Sequence, residues 1–113
     1  MAYSNGVIFI ETPIFTRQIV ELLDDREYAG LQKHLHENPD AGDVVPGGGG
    51  LRKQRWACAA AGKGKRGGIR VLYFWRAAND EIYMLYAFGK GAKSDLTEPQ
   101  KKALRKWIKE NLA

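Results

Sequence analysis

A short stretch near the middle of the chain places two cations on one face of a predicted strand. Lys53 and Arg55 are two residues apart, and side chains two apart in a β-strand point to the same side of the sheet. By the same alternation, Arg52 and Gln54 take the opposite face. Two neighbouring cations on one face suit the binding of an anion such as a phosphate group.

Two further basic residues are expected beside this pair. Arg70 starts the next predicted strand, and Lys90 follows the last one. If the turn at 77–80 closes a hairpin between these strands, Arg70 lies opposite residues 87–89, and Lys90 is within its reach. A lysine held among like charges is also better suited to accept a proton than an isolated lysine. The sequence therefore predicts one cluster on three successive strands, formed by Lys53, Arg55, Arg70 and Lys90.

Basic residues outside the strands extend this surface. The glycine-rich segment 62–68 carries three cations, and a basic loop of this kind suits a nucleic-acid backbone better than a small ligand. Aromatic residues are interleaved with the charge and would stack on bases, although most of them are expected in the core. The predicted RNA-binding residues are Arg52, Lys63, Lys65, Arg66 and Lys93.

Charge is divided unevenly along the chain. Residues 1–50 hold three basic and eight acidic residues, a net charge of −5, whereas residues 51–113 hold fifteen basic and five acidic residues, a net charge of +10. A basic half of this density is typical of a phosphate-binding surface. This half includes a run of cations near the C-terminus, namely Lys101, Lys102, Arg105, Lys106 and Lys109. We interpret the run as the solvated outer face of a helix, and the alternative is a second surface that binds phosphate groups.

Metal and thiol chemistry have little support in the sequence. His34 and His36 are two residues apart on a predicted helix, so they point to different faces and make a poor metal pair. Cys58 is the single cysteine, which excludes an intrachain disulfide. The run of four glycines at 47–50 leads into a strand, whereas a nucleotide-binding loop of the Gly-Lys-Ser/Thr type opens a helix. We therefore predict neither a metal nor another cofactor, and we interpret the glycine run as a flexible connection.

The first half of the chain predicts one strand and two helices. Residues 7–11 are rich in β-branched and aromatic side chains and favour a strand. A helix should begin at Thr12-Pro13 and end near Leu23. A second helix should begin at Asp24 and end before Asn38-Pro39, because proline disfavours a helical residue before it.

The second half predicts an antiparallel meander and a last helix. The strands cover about 51–59, 68–76 and 81–88, and the continuous apolar run in the second is typical of a central strand. The order β-α-α-β-β-β-α indicates an α+β fold with an antiparallel sheet packed against helices, in a single domain spanning 1–113. The last helix should begin at Thr97 and point inward with Ala103, Leu104, Trp107, Ile108 and Leu112.

The expected compartment is the cytoplasm. No apolar run approaches the roughly 18 residues of a membrane span, and residues 1–6 lack the basic start and apolar stretch of a secretion signal. We therefore expect no membrane partner.

Three segments resemble the RelE/ParE toxin superfamily, and the closest likeness is to its HigB-type branch of RelE toxins. They read PGGGGLRKQRW at 46–56, GKGKRGGIRVLYF at 62–74, and Gly-Lys at 89–90 with Ser-Asp-Leu at 94–96. The resemblance covers essentially the whole chain and implies a RelE-like fold. It implies the toxin of a type II toxin–antitoxin system, which enters the ribosomal A site and cleaves mRNA.

The resemblance also implies a reaction and the residues that perform it. A ribose 2′-hydroxyl attacks the adjacent phosphate without a metal, which leaves a 2′,3′-cyclic phosphate and a free 5′-hydroxyl. Lys53 would act as the general base or assist it, Arg55 and Arg70 would hold the scissile phosphate, and Lys90 would support them. Many RelE toxins carry an arginine and a tyrosine where this chain has Gly91 and Thr97. The proton donor is therefore open, with Lys93 and Tyr86 as candidates.

The resemblance further implies a cognate antitoxin, expected to be HigA-like and of the helix-turn-helix type. Two other functions remain possible at this point. One is a ParE-like toxin that inhibits gyrase on the same fold, and the other is an RNA- or ribosome-binding module without catalysis. The retained Lys53, Arg55 and Arg70 favour the ribonuclease.

Overall fold

The computed structural model describes residues 7–57, 68–89 and 96–112. They form a five-stranded mixed sheet with three helices, so the predicted α+β class is confirmed. A 3-10 turn at Ala77–Asn79 joins the last two strands. The elements are β1 (Ile8–Glu11), α1 (Pro13–Leu22), α2 (Asp25–Glu37), β2 (Asp43–Val44), β3 (Arg52–Trp56), β4 (Ile69–Arg76), β5 (Glu81–Gly89) and α3 (Glu98–Asn111).

The predicted helix starts are confirmed by their capping hydrogen bonds. The Thr12 hydroxyl accepts a hydrogen bond from the backbone N–H of Phe15, and proline follows it at the first helical position. Asp24 and Thr97 each form a reciprocal capping box with the residue three positions later. None of the helices in the described part of the chain is long and apolar enough to cross a membrane.

The strands lie in the order β1-β5-β4-β3-β2. The pairs from β2 to β5 are antiparallel, which confirms the meander, whereas β1 joins the edge of β5 in parallel. β4 is central, and its residues Val71, Leu72 and Tyr73 are fully buried. β2 was not predicted, because a strand of two residues is too short to show an alternating pattern.

Two apolar clusters cover opposite faces of the sheet. On one face, Phe15 of α1 and Leu31 of α2 pack in a cluster with Val71. On the other face, Ile108 of α3 packs in a cluster with Leu72. Neighbouring residues on β4 therefore serve different helices, as the alternation of side chains requires.

A β-bulge between β4 and β5 determines which residues of β5 face α3. Leu72 pairs with Tyr86, but the next residue, Tyr73, pairs with Met84. Leu85 is the extra residue, and it packs in the α3-side cluster together with Tyr86. The bulge therefore places two successive residues on the same face of the sheet.

The predicted inward face of α3 is partly wrong. Ile108 and Leu112 are buried and Leu104 is partly buried, as expected. Ala103 and Trp107 are exposed instead, and 37% of Trp107 remains accessible. Both residues line an open apolar groove of about 320 Å³ beside the first turn of α1. Only the side of α3 that carries Ile108 and Leu112 is buried against the sheet. The side that carries Ala103 and Trp107 faces the groove, and no element of the described chain covers it.

Candidate phosphate-binding site

Three of the predicted cations lie on one face of the sheet. Arg55 of β3 is the direct cross-strand partner of Arg70 of β4, and Lys53 is the partner of Leu72. Cross-strand partners point to the same side of a sheet. Since Leu72 packs against α3, the basic cluster of Lys53, Arg55 and Arg70 lies on the α3 side.

Two aromatic residues of β5 border the basic cluster on the next strand. Arg70 pairs with Phe88, and Leu72 pairs with Tyr86. The rings of Tyr86 and Phe88 lie 5.9 Å apart between centroids and are tilted by 49°. Two cross-strand rows result, one running from Arg55 through Arg70 to Phe88, and the other from Lys53 through Leu72 to Tyr86.

The basic cluster keeps contact with solvent. Arg55 is exposed, and Lys53 and Arg70 are partly buried. Directly opposite residues have Cβ atoms about 4.5–5.5 Å apart, and like charges in that position destabilise a sheet. An anion bound beside Arg55 and Arg70 would interact with both positive charges at once. This part of the face is therefore suited to a phosphate group.

Helix α3 covers the other half of the same face. Phe74 packs in the α3-side cluster, and its ring approaches the backbone of Gly50. Phe74 pairs with Tyr83, whose ring meets Trp107 of α3 edge-on at 6.4 Å. Arg70 lies four residues before Phe74 on β4, which separates them by roughly 13 Å along the strand. The basic cluster therefore lies at the end of β4 away from Phe74, at the border of the α3-side cluster that buries Leu72 and Phe88.

Arg52 has a different position from the other predicted site residues on β3. Its side chain lies on the face of α1 and α2, opposite Tyr73. The guanidinium donates hydrogen bonds to the backbone carbonyls of Gly42 at 2.8 Å and Asp40 at 3.2 Å. This geometry makes Arg52 an anchor of the loop between α2 and β2.

Sequence reasoning did not assign a role to Tyr73, which completes the same anchor. Its hydroxyl donates to the carbonyl of Pro39 at 2.8 Å and accepts from the backbone N–H of Gly42 at 2.9 Å. Burial raises the pKa of Tyr73, so the hydroxyl stays protonated and remains a donor. A Cβ at Gly42 would lie 2.8 Å from the Tyr73 ring, which explains the glycine. Only one feature of the sequence indicated this role: Tyr73, whose side chain ends in a polar hydroxyl, occupies a position in an otherwise apolar strand.

The glycine run before β3 has a defined conformation. Gly47, Gly49 and Gly50 have φ values of 72°, 70° and 104°, in the region that favours glycine. The N–H of Gly48 donates to the carbonyl of Val45 at 3.0 Å, inside the hairpin that joins β2 to β3. The expected flexible connection is thus a hydrogen-bonded turn, and it fixes where β3 begins.

Several sequence predictions lie outside the described residues. These are Lys90, the loop cations and the segment after β5, so their placement stays a prediction. The residues concerned are Lys63, Lys65, Arg66, Lys90, Gly91 and Lys93, together with Cys58.

The two histidines of α2 have separate surroundings. His34 packs against Trp56 of β3, with ring centroids 5.4 Å apart, whereas His36 is exposed. Within residues 7–57, 68–89 and 96–112, no group of three or more His, Cys, Asp and Glu residues is placed to hold a metal ion.

Comparison with protein families gives one match that spans most of the chain. Residues 21–113 match the family described as the RelE toxin of the RelE/RelB toxin–antitoxin system. The matched part contains β3, β4 and β5 and therefore all three residues of the basic cluster. The chain accordingly belongs to the RelE toxin family and is the toxin component of a toxin–antitoxin pair, with a cognate antitoxin as its partner.

Proposed function

We propose that this toxin is a metal-independent endoribonuclease that cleaves mRNA in the ribosomal A site and thereby inhibits translation in the cytoplasm. The main support is the Arg55–Arg70 cross-strand pair, with Lys53 on the same face. Membership of the RelE toxin family supports the toxin role. Arg55 is exposed and Lys53 and Arg70 are only partly buried, so the cluster keeps the solvent contact that binding of an RNA backbone requires.

The proposed reaction is an internal transfer at phosphorus. The 2′-oxygen of a ribose forms a bond to the adjacent phosphorus, and the bond from phosphorus to the 5′-oxygen of the next nucleotide breaks. The proton of the 2′-hydroxyl passes to a base, and a proton is delivered to the leaving 5′-oxygen. The products are a 2′,3′-cyclic phosphate and a free 5′-hydroxyl.

Within this reaction, the cluster residues take distinct roles. Lys53 accepts or assists in accepting the 2′-hydroxyl proton. Arg55 and Arg70 bind the scissile phosphate and stabilise the negative charge that develops on its oxygens. Lys90, which follows Gly89 in the sequence, is proposed to support them. An arginine does not donate the proton, because its guanidinium stays protonated across the working pH range.

Tyr86 is the proton donor that the strand register favours. It occupies the same cross-strand row as Lys53, with Leu72 between them. Two strand spacings separate the row's ends by roughly 9.6 Å. Leu72 itself is fully buried in the α3-side cluster, so the phosphate would have to bind next to Arg70, where Lys53 and Tyr86 could approach it from opposite sides.

The antitoxin proposed for this chain is HigA-like and of the helix-turn-helix type, as the HigB-type resemblance implies. We expect it to cover the basic cluster, because a toxin must be held inactive. Co-expression with the adjacent reading frame and purification through a tag on the toxin would test this pairing. A purified complex that does not cleave mRNA is expected, and a complex of unchanged activity would contradict inhibition by coverage.

End-group analysis of cleaved mRNA tests the proposed chemistry. Translating ribosomes are incubated with the toxin, cut sites are mapped by primer extension, and the fragment ends are identified. We expect 2′,3′-cyclic phosphates and free 5′-hydroxyls. Fragments that carry 5′-phosphates would overturn the mechanism. Intact mRNA with inhibited gyrase would favour the ParE-like alternative.

A further inference from the structure

A second basic surface lies between the glycine turn and α3. The turn contributes Pro46 and Gly47, and the first two turns of α3 contribute Lys101, Lys102 and Arg105. These residues enclose a groove of about 460 Å³, called the α3 groove below. The catalytic proposal uses none of them, and the C-terminal basic run was expected to be a solvated helix face.

The glycines of the turn allow α3 to pack closely enough to form this groove. A Cβ at Gly49 would lie 2.9 Å from Cγ of Arg105, so a larger residue would displace the arginine stem. The Arg105 guanidinium donates to the carbonyl of Gly47 at 3.4 Å. The aliphatic part of Lys101 lies against Gly47 on the other side. The glycine run therefore holds two cations of α3 against one wall of the groove.

The charge in the α3 groove is predominantly positive. Among the described residues that line it, Glu98 is the one acidic residue, and it pairs with Lys101 at 3.3 Å. Lys102 and Arg105 are exposed. Arg105 follows Lys101 by four residues and Lys109 continues the series, which spaces cations by about 6 Å along the helix.

We propose that the α3 groove binds the phosphodiester backbone of RNA at a second place, formed by residues other than those of the basic cluster. This inference rests on the proposed function, because it identifies another contact with the same nucleic acid. A regular row of cations matches a polymer whose charges also repeat, and phosphate contacts of this kind position RNA without reading its sequence. Within the described part of the chain, the groove is lined by no large aliphatic or aromatic side chain of the sort that anchors a protein segment.

The double variant Lys102→Ala/Arg105→Ala tests the inference. The matched control, Arg26→Ala/Lys33→Ala, removes the same charge from exposed positions of α2. Binding is measured across a range of salt concentrations with a 2′-O-methyl RNA oligonucleotide, which lacks the attacking hydroxyl, and with ribosomes free of mRNA. The first probe represents mRNA and the second represents ribosomal RNA. Circular dichroism and thermal unfolding verify that both variants are folded.

The groove variant is expected to bind at least one probe on the order of tenfold more weakly than the control. The slope of the logarithm of its RNA affinity against the logarithm of the salt concentration should become shallower by roughly 0.7 for each single-strand phosphate contact that is lost. Equal affinity and slope in the two variants would overturn the inference. Polyglutamate serves as a third probe and represents an acidic protein segment. If the groove variant loses only polyglutamate binding and still binds RNA and ribosomes normally, the inference is overturned and the groove is a protein-docking site. Cleavage chemistry is assayed separately, so failure of the groove proposal leaves the end-group result standing.

Discussion

Arg55 and Arg70 are direct partners across β3 and β4, and both side chains lie on the α3 side of the sheet, where Arg55 is exposed and Arg70 is half-buried. Two cations side by side in this register can bind one anion together, which supports the proposal of a phosphate ligand at this position.

Removal of Arg70 should abolish most of the activity without unfolding the protein. Arg70→Ala is expected to lower the rate of mRNA cleavage by about 100- to 1,000-fold, as for other residues that stabilise charge in a transition state. The variant is expected to remain folded, because Arg70 is only partly buried and lies next to the first residue of β4. Single-turnover cleavage and thermal unfolding measure the two effects. Lys33→Ala, on the opposite side of the sheet, serves as the control and should cleave normally.

Substitution of Lys53 by arginine separates charge from proton transfer. Lys53→Arg keeps the cation, but a guanidinium does not accept a proton in the working pH range. We expect kcat to fall by about 100-fold or more while KM stays nearly unchanged. A variant with normal kcat would show that Lys53 acts only through its charge.

Tyr86→Phe tests the proton donor, since phenylalanine keeps the ring beside Phe88 and removes only the hydroxyl. The expected result is a fall of about 100-fold in kcat with RNA binding preserved. An RNA whose leaving 5′-oxygen is replaced by sulfur needs much less protonation and should restore the rate. If Tyr86→Phe cleaves as the wild type does, the donor lies elsewhere, and Lys93 becomes the next candidate.

The loop anchored by Tyr73 should affect stability more than chemistry. Tyr73→Phe removes the hydrogen bond to Pro39 and leaves the Gly42 N–H without its partner. We expect the free energy of unfolding to fall by about 1–3 kcal/mol. Urea denaturation gives this value, and cleavage per folded molecule should remain within about twofold. Tyr28→Phe, which removes a hydroxyl bonded to Glu11, is a useful comparison away from the site.

Local patterns in the sequence predicted the part of the site that depends on a single strand or turn. Alternation placed Lys53 and Arg55 together, and the short connection at 77–80 fixed the hairpin register that brings Arg70 opposite Phe88. Turn length and side-chain parity are local properties, so they could be read without knowledge of the tertiary structure.

Features that depend on distant contacts could not be read in this way. Tyr73 and Gly42 are 31 positions apart, and their hydrogen bond forms only once β4 lies beneath the loop. Trp107 has the spacing of a core residue, yet it lines the open apolar groove between α3 and α1 and is partly exposed. The packing of Arg105 on Gly49 likewise depends on where α3 crosses the hairpin.

The central claim is that the basic cluster promotes attack by a ribose 2′-hydroxyl. Its most direct test is single-turnover cleavage of ribosome-bound mRNA in which one nucleotide, at the mapped cut site, carries deoxyribose. The proposed mechanism predicts that cleavage at that position is lost, while neighbouring ribose sites are still cut. Cleavage at an unchanged rate at the deoxyribose position would contradict it.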